Sequence, residues 1–151
     1  MTRLLALAFA VSIVAFAVPA AAAPPLLVVY PFAQSDGVPD GMGAAVADRI
    51  AAEITSAGGI TVIKAPPDTK PANYRKAARD LGAEVYYSGS IVPVGTSFSA
   101  IEQLVSTKAG MVRWSVTMQF HAIGDIHGEG VRVHDALLQQ APPPSIPTPS
   151  P

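Results

Sequence analysis

The 151 residues include no cysteine and one tryptophan, and the few charges, 14% of the chain, nearly cancel to a formal net charge of -1. Each shortage excludes something. Without cysteine this sequence holds no disulfide scaffold, no thiolate zinc site, no thiol nucleophile and no point for lipid attachment through sulfur. Without a basic excess it lacks the stripe that displaces counterions from phosphate, so nucleic acid is not an expected partner. A Gly-x-Ser-x-Gly elbow and a Gly-Lys-Ser/Thr loop are also missing, which removes two common enzyme signatures. The length leaves room for one small domain.

What is present begins with a leader. Met1-Thr2-Arg3 supplies one positive charge, Leu4 to Val18 is apolar except for Ser12, and small residues follow from Pro19 to Ala23. Residues 1–22 therefore read as a secretory signal peptide. A spanning helix needs ~20 apolar residues, and prolines at 19, 24 and 25 interrupt the run. The expectation is export to the periplasm or beyond, with cleavage near Ala23 and no stable membrane span afterwards. At the other end, Ala141 to Pro151 holds six prolines in eleven residues, and each proline removes a backbone donor and fixes φ. Residues 141–151 read as an extended or disordered tail, either a solvated spacer or a proline-rich ligand for a groove in another protein. A single domain is expected over 23–140.

Within that domain, Leu26 to Tyr30 is a short apolar run between prolines, as in a strand buried on both faces. Gln34 to Pro39 is a polar loop, Asp40 stands where a helix N-cap would, and Met42, Val46, Ile50 and Ile54 recur every four residues until Gly58-Gly59. Ile60 to Lys64 reads as a second strand. Tyr74, Ala77, Ala78 and Leu81 mark a smaller amphipathic helix that Gly82 ends. Glu84 to Val92, Ser97 to Ser106 and Met111 to Phe120 read as three strands joined by tight turns. In the last of them Val112, Trp114, Val116, Met118 and Phe120 share one face, which places Trp114 at the centre of the core. Val131, His134, Leu137 and Leu138 allow a short C-terminal helix reaching Gln140. The fold class is a mixed α/β sheet of order β-α-β-α-β-β-β, with two helices packed on it and one helix-covered face over the Trp114 side.

These residues resemble a family. Val28-Val29-Tyr30-Pro31-Phe32, Asp40-Gly41-Met42, Gly59 to Ile63, the run Ala77 to Ser90, Gln103-Leu104-Val105 and Gly110 to Ser115 are similar to the amino-terminal domain of the periplasmic protein TolB and its relatives, including CsgG-type and FlgO-type envelope proteins. The resemblance covers Leu26 to Phe120. It implies a compact α/β domain of the bacterial envelope that contacts other proteins and catalyses nothing. The sequence differs from that family in showing no propeller and no lipid-bearing cysteine. No functional residue carries over, because the shared positions read as fold positions.

Several groups of residues stand as candidates for chemistry. Gly124-Asp125-Ile126-His127-Gly128 matches the first motif of calcineurin-like metallophosphoesterases, but such a two-metal site needs further ligands from a long sandwich downstream. His121, Asp125, His127 and His134, with Glu129 among them, could together bind zinc or copper. A flexible loop holds ligands poorly without outer support, so adventitious affinity is the expectation and no metal or cofactor is called for. Gly37, Gly41 and Gly43 lie where a phosphate loop would, yet Val46 replaces the third glycine of the fingerprint and Asp36 and Asp40 would repel an anion. Arg75, Lys76 and Arg79 give the second helix a basic face. The expected function is that of an exported non-enzymatic envelope module acting on another envelope protein or on itself. The alternative is a small-ligand-binding domain using the Gln34 to Asp40 loop.

Overall fold

The computed structural model describes residues 23–66 and 68–139. The expected signal peptide at 1–22 and the expected tail at 141–151 lie outside the described residues. The elements are β1 (Leu26–Val29), β2 (Ala33–Gln34), α1 (Met42–Ala57), β3 (Thr61–Lys64), α2 (Tyr74–Asp80), β4 (Val85–Val94), β5 (Ser97–Ser106), β6 (Val112–Phe120) and α3 (Glu129–Gln139). They build one mixed sheet of order β3-β1-β4-β5-β6, with the two-residue β2 paired beside β4. β1 runs parallel to both β3 and β4, while β4, β5 and β6 form an antiparallel meander. The mixed α/β fold is the expected one, with β2 as an added strand and the C-terminal helix present.

Helices lie on both faces of this sheet, whereas the sequence reading put them over one. The strand order explains the difference. The path from β1 through α1 to β3 moves one way across the sheet, and the path from β3 through α2 to β4 moves back past β1. Right-handed crossovers in opposite directions place their helices on opposite faces. Two separate cores follow. Leu27 and Val29 pack with Val46, Ile50 and Ile54 of α1 and with Val133 and Leu137 of α3. Val28 and Tyr30 point the other way onto Ala78 of α2. The four residues of β1 are thus apolar without alternation because both of their faces are covered.

The meander alternates as expected, with one interruption. Ala100 and Leu104 of β5 are buried, and Phe120 of β6 closes the far end of the same core. Leu104 pairs with Trp114, but Val105 pairs with Val112, so Arg113 is an extra residue in the ladder. One inserted residue turns every side chain beyond it to the other face. Val112 therefore leaves the face shared by Trp114, Val116, Met118 and Phe120, and it is 49% exposed. Trp114 itself is only partly buried against the core. It lies on an edge strand, where among the described residues one flank has no neighbouring strand to cover it.

Candidate functional site

The loop between β1 and α1 is closed by its own side chains. Gln34 Oε1 accepts the Gly43 N–H at 2.9 Å, and its Nε2 donates to the Pro39 carbonyl at 2.7 Å. The Phe32 N–H donates to the Gly43 carbonyl at 3.1 Å. A Cβ at Gly43 would come within 2.1 Å of the Phe32 oxygen, so this glycine serves backbone approach and not a phosphate. Asp40 is not the N-cap. Gly41 holds that position at φ 78, a left-handed backbone that glycine adopts without Cβ strain, and it has no side chain with which to make a cap bond. The Gly43 amide, which an anion would use, is already bonded to Gln34.

In open α/β sheets ligands bind where adjacent strands send their connections to opposite faces. Here that place is the carboxyl end of β1 and β3, a crevice of about 190 Å³ lined by Val29, Pro31, Ala47 and Ala65. Small-molecule sites run roughly 300 to 1,000 Å³. Lys64 and Asp48 close it with an ion pair at 2.8 Å.

The candidate metal residues are separated by what holds them. Asp125 Oδ2 accepts the backbone N–H groups of His121 and Ala122, both at 2.9 Å, which holds its carboxyl below the usual range. It closes a turn, with the imidazole of His121 taking no part in these bonds. His127 is exposed, with Nδ1 3.2 Å from Arg49 Nη2 and 3.7 Å from Glu53 Oε1. His134 Nε2 donates to the Gly58 carbonyl at 2.9 Å, so this ring ties α3 to the end of α1. Among the described residues no three histidine or acidic side chains converge as metal ligands. The basic face of α2 is also partly spent. Arg75 donates to the carbonyls of Thr107 and Lys108 at 2.9 and 2.7 Å, and Lys76 pairs with Asp80.

Sequence reasoning missed a buried acidic pair. Glu102 is fully buried on β5, where Tyr87 Oη donates to its Oε2 at 2.5 Å. Glu129, the first residue of α3, is buried beside it and accepts from Arg132 Nη1 at 2.8 Å. The Oε1 atoms of both carboxyls find no donor among the described residues. Burial pushes Glu102 up to about 8, and the facing Glu129 carboxyl adds to the shift through its charge and as a hydrogen-bond partner. A proton held on Glu102 is the donor that both orphan oxygens lack. The signal was parity: Glu102 sits two residues from Ala100 and two from Leu104, so it had to point inward.

Among the described residues, the other face of the meander carries no helix beyond the part α2 reaches. Three rungs cross it: Ser88, Gln103 and Ser115; Ser90, Ile101 and Thr117; Val92, Ser99 and Gln119. None of the nine is charged. Ile101 is 45% exposed and Val92 40%. Solvated sheet faces ordinarily carry lysine and glutamate, whereas the centres of protein interfaces are depleted in both.

No family model and no curated protein matches the chain. Solved structures do. A PelC dodecamer from Paraburkholderia phytofirmans is 19% identical, with 77% of this chain and 87% of that chain covered at a TM-score of 0.56. TolB from Acinetobacter baumannii is 17% identical, with 78% of this chain but 28% of that chain covered, at 0.54. The LpoB C-terminal domain from Escherichia coli is 16% identical, with 64% and 82% covered, also at 0.54. At these identities the likeness is one of fold. The TolB-like architecture read from Leu26 to Phe120 is matched at that level.

Proposed function

We propose that this chain is an exported, non-enzymatic module of the bacterial envelope that works by protein–protein contact, assembly with its own copies included. The observation that carries this reading is the three uncharged rungs across the outer face of β4, β5 and β6, open around Ile101. A sheet face of serine, threonine, glutamine and branched aliphatic residues loses little on desolvation and can pack against a partner. The shared fold with proteins solved as a PelC dodecamer, as TolB and as the LpoB C-terminal domain supports the same reading. The small crevice beyond β1 and the closed Gln34 loop weigh against the small-ligand alternative. The leader at 1–22 supports export.

The test is site-specific photocrosslinking in cells. A photoreactive residue at Ile101 should give a discrete adduct, to a second copy or to one envelope protein, while the same probe at Asp36 gives none. Equal labelling from both positions, or none from Ile101, would remove the face from the proposal. Ile101→Lys should abolish the adduct formed by a probe at Thr117 without altering the far-ultraviolet circular dichroism.

A further inference from the structure

We propose that α3 is a latch whose closure depends on one proton shared between Glu102 of β5 and Glu129 in its own first turn: with the proton held the helix stays on the sheet, and with the proton lost it opens. The geometry is that of a buried pair short of one donor. Glu102 is fully buried and Glu129 is 6% exposed. Tyr87 Oη donates to Glu102 Oε2 and Arg132 Nη1 to Glu129 Oε2, while each Oε1 is without a donor among the described residues. The two carboxyls lie within hydrogen-bonding contact of each other. Two ionised carboxylates so placed would set two negative charges against the one guanidinium of Arg132, whose side chain is 57% exposed and therefore screened by water. A single proton between the Oε1 atoms removes one charge and supplies the missing donor.

The elements packed around the pair bring few charges to it, and Arg132 is the cation that acts on Glu102. Tyr87 comes from β4, and burial beside Glu102 raises its hydroxyl well above its usual range, so it stays a donor. β6 places Val116 opposite Glu102. From α3, Asp135 lines the same groove as Arg132. From α1, Glu53 meets the start of α3, its Oε2 on the Gly128 and Gly130 amides and its Oε1 on Arg49 Nε. The remaining Arg49 contact is with His127. Glu53 thus adds a third carboxyl at this end of the helix and keeps the nearest other guanidinium for itself.

α3 is the element that can leave. β4, β5 and β6 are joined by long antiparallel ladders, and Val46, Ile50 and Ile54 of α1 cover the core on their own account. α3 is held by Val133 and Leu137 in that core, by Glu53 at its first amides and by His134 on the Gly58 carbonyl. Lifting it wets both carboxyls, which then give up the shared proton near the ordinary value of 4.5, whereas the closed form keeps it up to about 8. Opening therefore releases a proton between these limits, and rising pH drives it. The closed form is favoured in full below about 4.5, loses about tenfold per pH unit through the window, and loses nothing further above about 8. Open, the helix bares Val133 and Leu137 and uncovers Trp114 and Met118 on the sheet. Side chains alternate along β5, so this face is the reverse of the one around Ile101, and the latch stands whether or not Ile101 meets a partner.

Hydrogen exchange read by mass spectrometry on the full chain, as protection factors from about pH 5 to about pH 9, tests the latch. The α3 amides should exchange through an opening of their own that dilute urea hardly alters, whereas those of β4 and β5 need global unfolding and respond to urea steeply. Protection of α3 should fall about tenfold per pH unit between about pH 5 and about pH 8 and level off above. Glu102→Gln gives Glu129 a donor that does not titrate. It should hold α3 protection constant across that range and more than about thirtyfold above the parent at pH 8. His134→Gln, which retains a donor for the Gly58 carbonyl, should keep the parental slope. The proposal is overturned if α3 shares the protection and urea response of β4 at every pH, since it then has no opening of its own. It is overturned as well by α3 protection that is flat with pH in the parent, by a slope that survives Glu102→Gln, or by one that vanishes in His134→Gln. Should Glu102→Gln fail to fold, Glu129→Gln, which leaves the side chains of the sheet untouched, gives the same reading.

Discussion

At the scale of single residues, the positions that decide this domain are those where side chains are held against expectation. Glu102 is the clearest. Its ordinary value of 4.5 rises to about 8 in the fold through burial and the neighbouring Glu129 carboxyl. A carboxyl with a raised folded value binds more protons folded than unfolded, so its contribution is complete below about pH 4.5, declines as pH rises toward about 8, and is flat above. Glu102→Gln keeps an acceptor for Tyr87 and gives Glu129 a donor without charge. Urea unfolding should show that variant more stable than the parent at pH 8 and equal to it near pH 4, with the slope between them flattened. An unchanged slope would mean that the pair does not hold the proton. Gly43→Ala forces a methyl group onto the Phe32 carbonyl and should cost more than about 2 kcal/mol. Trp114→Ala should cost about 1 to 3 kcal/mol, less than the roughly 3 to 5 of a fully buried aromatic, because one flank of β6 lies open. Calorimetric titration with zinc should show nothing tighter than micromolar affinity, and a nanomolar site lost in His127→Ala would reverse that reading.

Elements are joined here by side chains that reach from one to the next. Glu53 of α1 is the main case, since its Oε2 accepts the N–H groups of Gly128 and Gly130 at 3.1 and 3.0 Å. These amides belong to the first turn of α3 and the residue before it, where four donors have no partner within the helix. Glu53 thus does from a neighbouring helix what an N-cap aspartate does from within. Glu53→Ala should cost about 1 to 2 kcal/mol and speed amide hydrogen exchange in α3 more than in β4 or β5. Uniform acceleration across the domain would show that α3 does not open separately. On the opposite face, Tyr30 stacks on Tyr74 with ring centroids 3.8 Å apart and donates to the Tyr74 carbonyl at 2.9 Å. That contact fixes a helix of only seven residues, too short to be stable alone. Most elements were legible in the sequence. Ser97–Ser106 has the same ends in both, and α1 differs by one residue at its start because Gly41, not Asp40, holds the N-cap. β2 was not legible, since a two-residue strand has no periodicity and exists only where β4 runs beside it.

At the scale of the whole molecule, export and contact with other proteins are the properties to test. Mass spectrometry of protein recovered from its native host should find a chain beginning at or within a few residues of Ala23. Intact Met1 on the mature protein would refute the leader. Native mass spectrometry of that material, with Ile101→Lys beside it, separates assembly with its own copies from contact with a different partner. A purified protein that is monomeric at every concentration would leave a different envelope protein as the partner captured at Ile101.

The sequence by itself determined the order of the elements other than β2, the apolar strand covered on both faces and the phase of the meander from Trp114 to Phe120, because these depend on periodicities of two and about 3.6 within short stretches. Only the tertiary structure decided the rest. The placing of helices on both faces depends on the order in which strands pair, which no local pattern encodes. The bulge at Arg113 turned Val112 outward, since a register shift is a relation between two strands. The meeting of Glu102 with Glu129, and the separate anchoring of His127 on Arg49 and His134 on Gly58 while Asp125 closes a local turn at His121, arose when the chain folded. Proximity in the chain gathered those four residues, whereas proximity in space gathers the groups that share a proton or could hold a metal, and folding makes the two differ.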